Sequence, residues 1–255
     1  MRISLPIAVA NALLVLVCHG WPQAFAQSVN VTMKDPRGLS VQQIVDNLVQ
    51  RNVERARALG AYKGTRVYRL EYRGFPSSRS AEITVDVQYR APATKEFTIL
   101  SQSGSRFLVD KVFQRMIQSE KDALTEENQA QIALNPSNYR FTLVGFETRP
   151  TGPAYVLSVS PRTSGKLLYR GRIWVDAQDF AVVRIEASPA KSPSFWTKET
   201  TIEQVYGKVG NFWLPLSNRS TSSIRLGGHA YFTIDYRDYQ ITAETPLNAS
   251  GKKGY

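Results

Sequence analysis

The segment from Tyr169 to Pro189 reads YRGRIWVDAQDFAVVRIEASP and consists of two apolar arms around a short polar centre. The arms, near 166–176 and 181–188, have the composition of β-strands, and only a few residues separate them. A connection this short joins antiparallel neighbours, because a parallel crossover needs a dozen or more residues. The segment therefore predicts a β-hairpin, with Ile173 and Val175 on one face of the sheet and Trp174 on the other.

Asp176 and Asp179 in this centre allow two interpretations. The first is a carboxylate pair for acid/base or metal chemistry, and the second is the turn of the hairpin itself. Acid/base work would need a carboxyl group whose pKa is raised by apolar burial, and we expect no such burial at a hairpin tip. A calcium loop would need more oxygen ligands at short spacing. The turn interpretation is favoured, since Asp side chains accept hydrogen bonds from nearby backbone amides.

The same patterns extend over most of the chain. Ser40 begins a helix with a capping box at Gln43 and one apolar stripe, and we expect it to end at Leu59-Gly60 with the glycine in a left-handed cap. A charged, helix-favouring insertion occupies 105–134. The remaining segments predict strands near 65–73, 82–89, 95–102, 139–147, 153–160, 166–176, 181–188, 197–208, 211–225 and 229–241. The predicted fold class is α+β: a strongly curved antiparallel sheet, an unclosed β-barrel of about ten strands. The N-terminal helix and the inserted helices should cover its concave face.

The ends of the chain predict export. Residues 1–26 combine Arg2, an apolar run and a closing Ala24-Phe25-Ala26, as in a signal peptide. We therefore expect a periplasmic protein with a flexible tether at 27–38, a single domain at 39–243 and a disordered basic tail at 244–255. The net charge of +11 suggests anionic envelope surfaces or a membrane-bound partner protein, and no nucleic acid. We expect a monomer.

Catalytic chemistry has few candidate residues. Of two histidines, His19 would leave with the signal peptide and His229 follows a Gly-Gly turn; the single cysteine lies in the same leader. A multi-histidine or cysteine zinc site is thus excluded from the predicted mature chain, and no Gly-x-Ser-x-Gly elbow accompanies His229. No phosphate-binding loop is present. The chain is predicted to be no enzyme and to use no metal or cofactor.

Three segments carry a resemblance to a known family: the hairpin above, FWTKETTIEQVYGKVGNFWLPLSNRSTS (195–222) and YFTIDYRDYQI (231–241). Together with the helix SVQQIVDNLVQRNVERA (40–56), they resemble the LolA-like and LolB-like outer-membrane lipoprotein-sorting proteins. These share their fold with the N-terminal domain of RseB/MucB-type periplasmic regulators. The resemblance covers roughly residues 40–242. It implies an unclosed barrel under a helical lid, an apolar concavity for acyl chains, and an arginine on an early strand that couples lid and barrel. Arg66 and Arg69 are the possible counterparts.

Two binding functions follow from this resemblance. The first is a lipid- or lipoprotein-binding module in outer-membrane trafficking; the alternative is an envelope-stress sensor or protein-interaction module. The predicted wall of the concavity consists of Ile83, Val85, Val87, Tyr89, Phe97, Ile99, Leu157, Ile173, Val175, Phe232 and Ile234. The predicted lid supplies Phe107, Val112, Phe113 and Met116. All of these residues could equally be ordinary core.

Overall fold

The computed structural model describes residues 37–75, 77–165, 167–191, 197–225 and 227–244. The predicted signal peptide, all but the end of the predicted tether, and 245–255 of the predicted tail lie outside these ranges. The helical elements are α1 (Val41–Ala58), α2 (Arg106–Leu108), a π-helical segment (Val109–Phe113), α3 (Gln114–Asp122) and α4 (Glu126–Ile132). The strands are β1 (Leu59–Arg73), β2 (Arg79–Arg90), β3 (Thr94–Gly104), β4 (Tyr139–Arg149), β5 (Gly152–Pro161), β6 (Tyr169–Asp176), β7 (Val182–Pro189), β8 (Thr197–Val209), β9 (Phe212–Ile224) and β10 (His229–Glu244).

The ten strands form one antiparallel sheet in the order β3-β2-β1-β10-β9-β8-β7-β6-β5-β4. Strands that lie side by side in the sheet are consecutive along the chain, except for β1 and β10. This single long-range pairing unites two meanders, and the sheet does not close because β3 and β4 remain its edges. The predicted fold class is confirmed.

Helix α1 begins as predicted and ends differently. Ser40 Oγ accepts a hydrogen bond from the Gln43 amide, and the Gln43 side chain accepts one from the Ser40 amide, which completes the capping box. The prediction of a left-handed cap at Gly60 is wrong, because Leu59 is extended and the chain passes directly into β1. A Cβ on Gly60 would lie 2.9 Å from the Ala243 carbonyl oxygen, so the glycine permits close approach of β1 to β10.

Two large apolar clusters lie on the face of the sheet that the helices cover, here called the covered face, and a smaller cluster joins Ala58, Leu59 and Tyr62 to Phe212 and Leu214. The α1 cluster joins α1 to strands β4 to β8 and includes Ile44, Val45, Leu48, Tyr155, Leu157, Ile173, Val175, Val183 and Ile185. The lid cluster joins α2, the π-helical segment and α3, together called the lid, to β1, β2 and β10. It includes Tyr68, Leu70, Ile83, Val85, Val87, Leu108, Val109, Val112, Phe113, Met116, Phe232 and Ile234. Each half of the sheet thus has its own helical cover.

Truncation of Leu48 tests whether α1 is an integral cover. Leu48 is fully buried against β4 to β7, so Leu48→Ala should lower the free energy of unfolding by about 2–5 kcal/mol through lost burial and a cavity. Gln42→Ala, on the exposed face of the same helix, should change it by less than about 0.5 kcal/mol. Urea unfolding followed by circular dichroism measures both. Equal effects would contradict the docking of α1.

Candidate functional site beneath the lid

The lid packs on the sheet through one stripe of apolar side chains. Leu108, Val109, Val112, Phe113 and Met116 are all at most 6% exposed. The π-helical segment inserts one wider turn into the helix at this contact, a feature often found at functional sites. Three of the four predicted lid residues therefore lie in the lid cluster.

Phe107, the fourth, is 53% exposed and points away from the sheet. Successive helical residues differ by about 100° around the axis, which places Phe107 on the side opposite the buried stripe. Leu108, which the prediction omitted, takes the buried position instead. The helical pattern was recognised correctly, but the buried face begins one residue later.

A buried ion pair joins the lid to β1. The Arg66 guanidinium on β1 donates to both carboxylate oxygens of Glu120 on α3, at 2.6 and 2.8 Å. The Tyr68 hydroxyl donates to the same carboxylate at 3.1 Å, and Lys95 Nζ on β3 lies 3.3 Å from it. The side chains of Arg66, Glu120 and Lys95 are 5%, 1% and 7% exposed, so the group is shielded from water. We call Arg66, Tyr68, Lys95 and Glu120 the latch.

Electrostatics keep the latch ionised despite its burial. Burial alone raises the pKa of Glu120, but Arg66, then Lys95, and the hydrogen bonds from Arg66 and Tyr68 lower that pKa below its ordinary value of 4.5. Burial lowers the pKa of Arg66, whereas Glu120 more than reverses this and holds it above its ordinary value. The latch thus contains two positive charges and one negative charge.

Arg69 has a different role from Arg66. It lies on the opposite face of β1, is 42% exposed, and pairs with Glu82 at 2.6 Å and Asp235 at 2.5 Å. Of the two arginines that the resemblance offered, only Arg66 contacts the lid among the described residues. Its partner Glu120 was missed, because nothing in a charged helix marks which carboxylate turns inward.

The residues of the predicted wall are divided between the two large clusters, and two of them lie outside both. Ile83, Val85, Val87, Phe232 and Ile234 lie in the lid cluster, with Phe97 partly buried against it. Leu157, Ile173 and Val175 lie in the α1 cluster, under the other helix. Tyr89 is half-buried and stacks on Tyr62 with ring centroids 5.2 Å apart. Ile99 is 44% exposed on β3, an edge strand that pairs only with β2 among the described strands.

A polar strip on β8 and β9 separates the two clusters. Thr200 and Ser222 form a hydrogen bond of 3.0 Å between their hydroxyls, and Asn218 Nδ2 donates to Gln204 Oε1 at 2.6 Å. All four side chains are buried, Gln204 completely. Sequence reasoning missed this strip, although alternation along β8 carries a signal: Glu199, Thr201 and Glu203 face solvent, which turns Thr200 and Gln204 inward.

The hairpin between β6 and β7 is a structural turn. Asp176 accepts hydrogen bonds from the amides of Gln178 and Asp179 at 2.9 and 2.7 Å, as the turn interpretation predicts. It is nevertheless only 8% exposed, so the expectation that a hairpin tip offers no burial is wrong. The burial arises because Arg37 and Arg55 pack onto the turn and donate to its carbonyl groups.

Asp179 forms an ion pair with Lys208. Its Oδ2 accepts from Lys208 Nζ at 2.7 Å and from Trp213 Nε1 at 2.8 Å. Burial raises its pKa, but Lys208 and the two hydrogen bonds lower it on balance, which keeps the carboxylate ionised.

Within the described ranges, no three His, Cys, Asp or Glu side chains group as metal ligands would. No helix in these ranges has the length and apolarity of a membrane span.

Comparison with known proteins yields similarities of fold. No family model matches the chain, and no curated protein matches it in sequence. A solved "putative outer membrane lipoprotein-sorting protein domain" from Vibrio parahaemolyticus aligns over 82% of this chain and 97% of its own, with 11% identity and a TM-score of 0.46. A LolA superfamily protein from Nitrosomonas europaea aligns over 82% and 96%, with 13% identity and a TM-score of 0.36. MucB in complex with MucA aligns over 79% and 100%, with 12% identity and a TM-score of 0.25.

The assignment of fold class itself rests on the strand order and register of the sheet.

Removal of the Glu120 charge tests the latch. Glu120→Gln leaves Arg66 buried without its countercharge, so we expect the free energy of unfolding to fall by about 3–5 kcal/mol. The matched control is Glu82→Gln, which removes the exposed partner of Arg69 and should reduce stability by no more than about 1 kcal/mol. Urea unfolding at pH 7 measures both variants. A loss for Glu120→Gln as small as the control would show that the latch is solvated.

The pH dependence of stability provides a second test of the latch. A lowered carboxyl pKa stabilises the folded state above the unfolded pKa, and this contribution is lost as the pH falls through the folded value. The difference in unfolding free energy between wild type and Glu120→Gln should be full above about pH 5 and should narrow at lower pH. Urea titrations at a series of pH values measure it. A constant difference down to the acid limit would contradict an ionised Glu120.

Proposed function

We propose that this chain is an exported, periplasmic module that binds lipid or lipoprotein acyl chains on the covered face, with the lid as its movable cover. The observation that carries the proposal is the construction of the lid contact: an apolar stripe fastened by a buried, charged latch. The sequence segments that resemble lipoprotein-sorting proteins, and the predicted signal peptide, support the same function.

Burial of the apolar part of the lid contact contributes about as much free energy as burial of an acyl chain would. Burial of five apolar lid side chains contributes on the order of 10 kcal/mol, at about 1.5–3 kcal/mol each. A chain of about sixteen carbons gains a similar amount, at about 0.8 kcal/mol per CH₂. An acyl chain that displaced the lid would therefore restore the apolar burial that β1, β2 and β10 lose when the lid opens. In the ligand-free protein the lid side chains occupy the position proposed for the ligand.

The latch makes this exchange energetically accessible. Burial of three charges is unfavourable, and their mutual attraction offsets the desolvation only in part, so a buried ion pair adds less net stability than apolar packing. Opening of the lid returns Arg66, Lys95 and Glu120 to water and recovers their hydration. The latch therefore fixes the position of the closed lid and also limits the stability of the closed state.

A second function, a protein-interaction module, is favoured by the two edge strands. Among the described strands, β3 pairs only with β2 and β4 only with β5. Ile99 and Leu100 on β3, and Leu143 and Val144 on β4, are 37–58% exposed. Exposed apolar edge strands are templates for added strands of a partner protein.

Acyl-chain uptake tests the proposed function. Wild-type protein purified from an envelope fraction should carry bound lipid in native mass spectrometry, and the ligand-free protein should take up a fluorescent C16 probe from vesicles. The triple substitution Arg66→Met, Lys95→Met and Glu120→Met replaces the charges of the latch by apolar contacts, which should preserve stability and slow uptake by about tenfold, the rate equivalent of about 1.4 kcal/mol.

The matched control is Arg69→Met with Glu82→Met, which removes an ion pair on the opposite face and should take up the probe at the wild-type rate. Wild-type protein that neither retains lipid nor takes up the probe would refute the carrier function and leave the protein-interaction module. Equal uptake rates for the triple latch variant and this control would refute the role of the latch.

A further inference from the structure

A row of tyrosines crosses the sheet on the covered face. Tyr62 stacks on Tyr89 and meets Tyr239 edge-on, with ring centroids 5.2 and 5.6 Å apart, and Tyr139 lies 5.5 Å from Tyr169. Tyr236 on β10 and Tyr206 on β8 lie between these two groups in the strand order of the sheet. The row, which we call the tyrosine row, runs from β2 to β4 and consists of Tyr89, Tyr62, Tyr239, Tyr236, Tyr206, Tyr169 and Tyr139.

The middle of this row contains buried donors without a protein partner. The hydroxyls of Tyr206 and Tyr239 and the side-chain nitrogen of Gln204 are shielded from solvent, and none of them forms a hydrogen bond with a described residue. Gln204 is fully buried and Tyr206 is 5% exposed. Gln204 and Tyr206 are two residues apart on β8, so both side chains project from the same face of the strand.

Such donors are costly in a purely apolar interior. A buried polar group without a partner loses its hydration and gains nothing in return, which is why native proteins satisfy nearly all of them. Burial raises the pKa of Tyr206, Tyr236 and Tyr239 above its ordinary value, so these hydroxyls keep their protons and remain hydrogen-bond donors.

The net positive charge of the neighbouring latch also favours acceptor oxygens. Arg66 and Lys95 carry two positive charges against the single negative charge of Glu120, and the Arg66 guanidinium lies 4.9 Å from the ring centroid of Tyr236. The covered face therefore combines hydrogen-bond donors on β8 and β10 with an excess of positive charge in the latch. Both favour oxygen atoms that accept hydrogen bonds.

We propose that the ligand of the covered face carries acceptor oxygens into the interior: the carboxylate or ester group of an acyl chain, bound by Gln204, Tyr206 and Tyr239. A bare hydrocarbon would leave these donors unpaired, whereas an acyl oxygen satisfies them. This inference rests on the proposed acyl-chain binding and adds the chemical group that selects the ligand. Free fatty acids and ester-linked lipids share that group.

Three C16 probes test the inference: palmitate, methyl palmitate and hexadecane, each deuterated and delivered from cyclodextrin to the full-length protein. Bound probe is quantified by mass spectrometry after extraction, as the ratio of each oxygenated probe to hexadecane. The double substitution Tyr206→Phe with Tyr239→Phe should lower this ratio by about tenfold relative to wild type, because two hydrogen bonds are lost while the apolar surface is kept. Tyr231→Phe, on the other face of β10, should leave it unchanged.

The outcomes separate the two proposals. A greater reduction for palmitate than for methyl palmitate assigns the site to free fatty acids, and the reverse assigns it to ester-linked lipids. If wild type binds all three probes and the double variant keeps the wild-type ratio, this inference is overturned and acyl-chain binding stands. If wild type binds none of them, both fail.

A stability measurement on ligand-free protein gives an independent test. Tyr206→Phe removes a buried hydroxyl without a protein partner, so the variant should unfold at a higher urea concentration than wild type. A lower midpoint would show that the hydroxyl already makes a stabilising interaction, and would overturn its assignment to a ligand.

Discussion

The ion pair between Arg66 and Glu120 is the interaction on which the lid depends. Apolar side chains place the lid against the sheet, but apolar contact is not directional and would tolerate sliding of the helix along the strands. A guanidinium held by both oxygens of one carboxylate fixes a single register. Arg66 belongs to β1, which pairs with β10 and so joins the two meanders. The latch therefore ties the lid to the strand that organises the whole sheet.

The open sheet also requires two covers rather than one. Ten strands expose a long inner face, and an uncovered apolar face of this size would promote aggregation. Helix α1 covers the half formed by β4 to β8, with a capping box at its start and Leu48 at its centre. The lid covers the half formed by β1, β2 and β10, and its contact contains the buried ion pair of Arg66 and Glu120. The buried charge of α1, Arg55, instead donates to backbone carbonyl groups of the turn between β6 and β7. In the proposed function, α1 is the permanent cover and the lid the exchangeable one.

The parts that could be predicted from the sequence are those that depend on local periodicity. Alternation of apolar residues and short turns predicted the strands and their antiparallel pairing, and the Ser40 capping box predicted the start of α1. It was harder to predict which side chains meet in the interior, because these contacts join residues that are distant in the sequence. Glu120 meets Arg66 across 54 positions, and no local pattern distinguishes it from the other carboxylates of its segment. The end of α1 was mispredicted because Gly60 serves the approach of β10, not the cap of the helix.

The prediction of a uniformly apolar concavity missed the composition of its middle. Ile173 and Ile83 are both buried, yet they belong to clusters under different helices, with Gln204 and Asn218 among the buried residues between them. A sheet selected only for stability would place apolar side chains at such positions, since these bury surface without leaving donors unpaired. The strip on β8 and β9 and the latch on β1 are therefore consistent with the proposed ligand, a molecule that is apolar along most of its length and polar at one point.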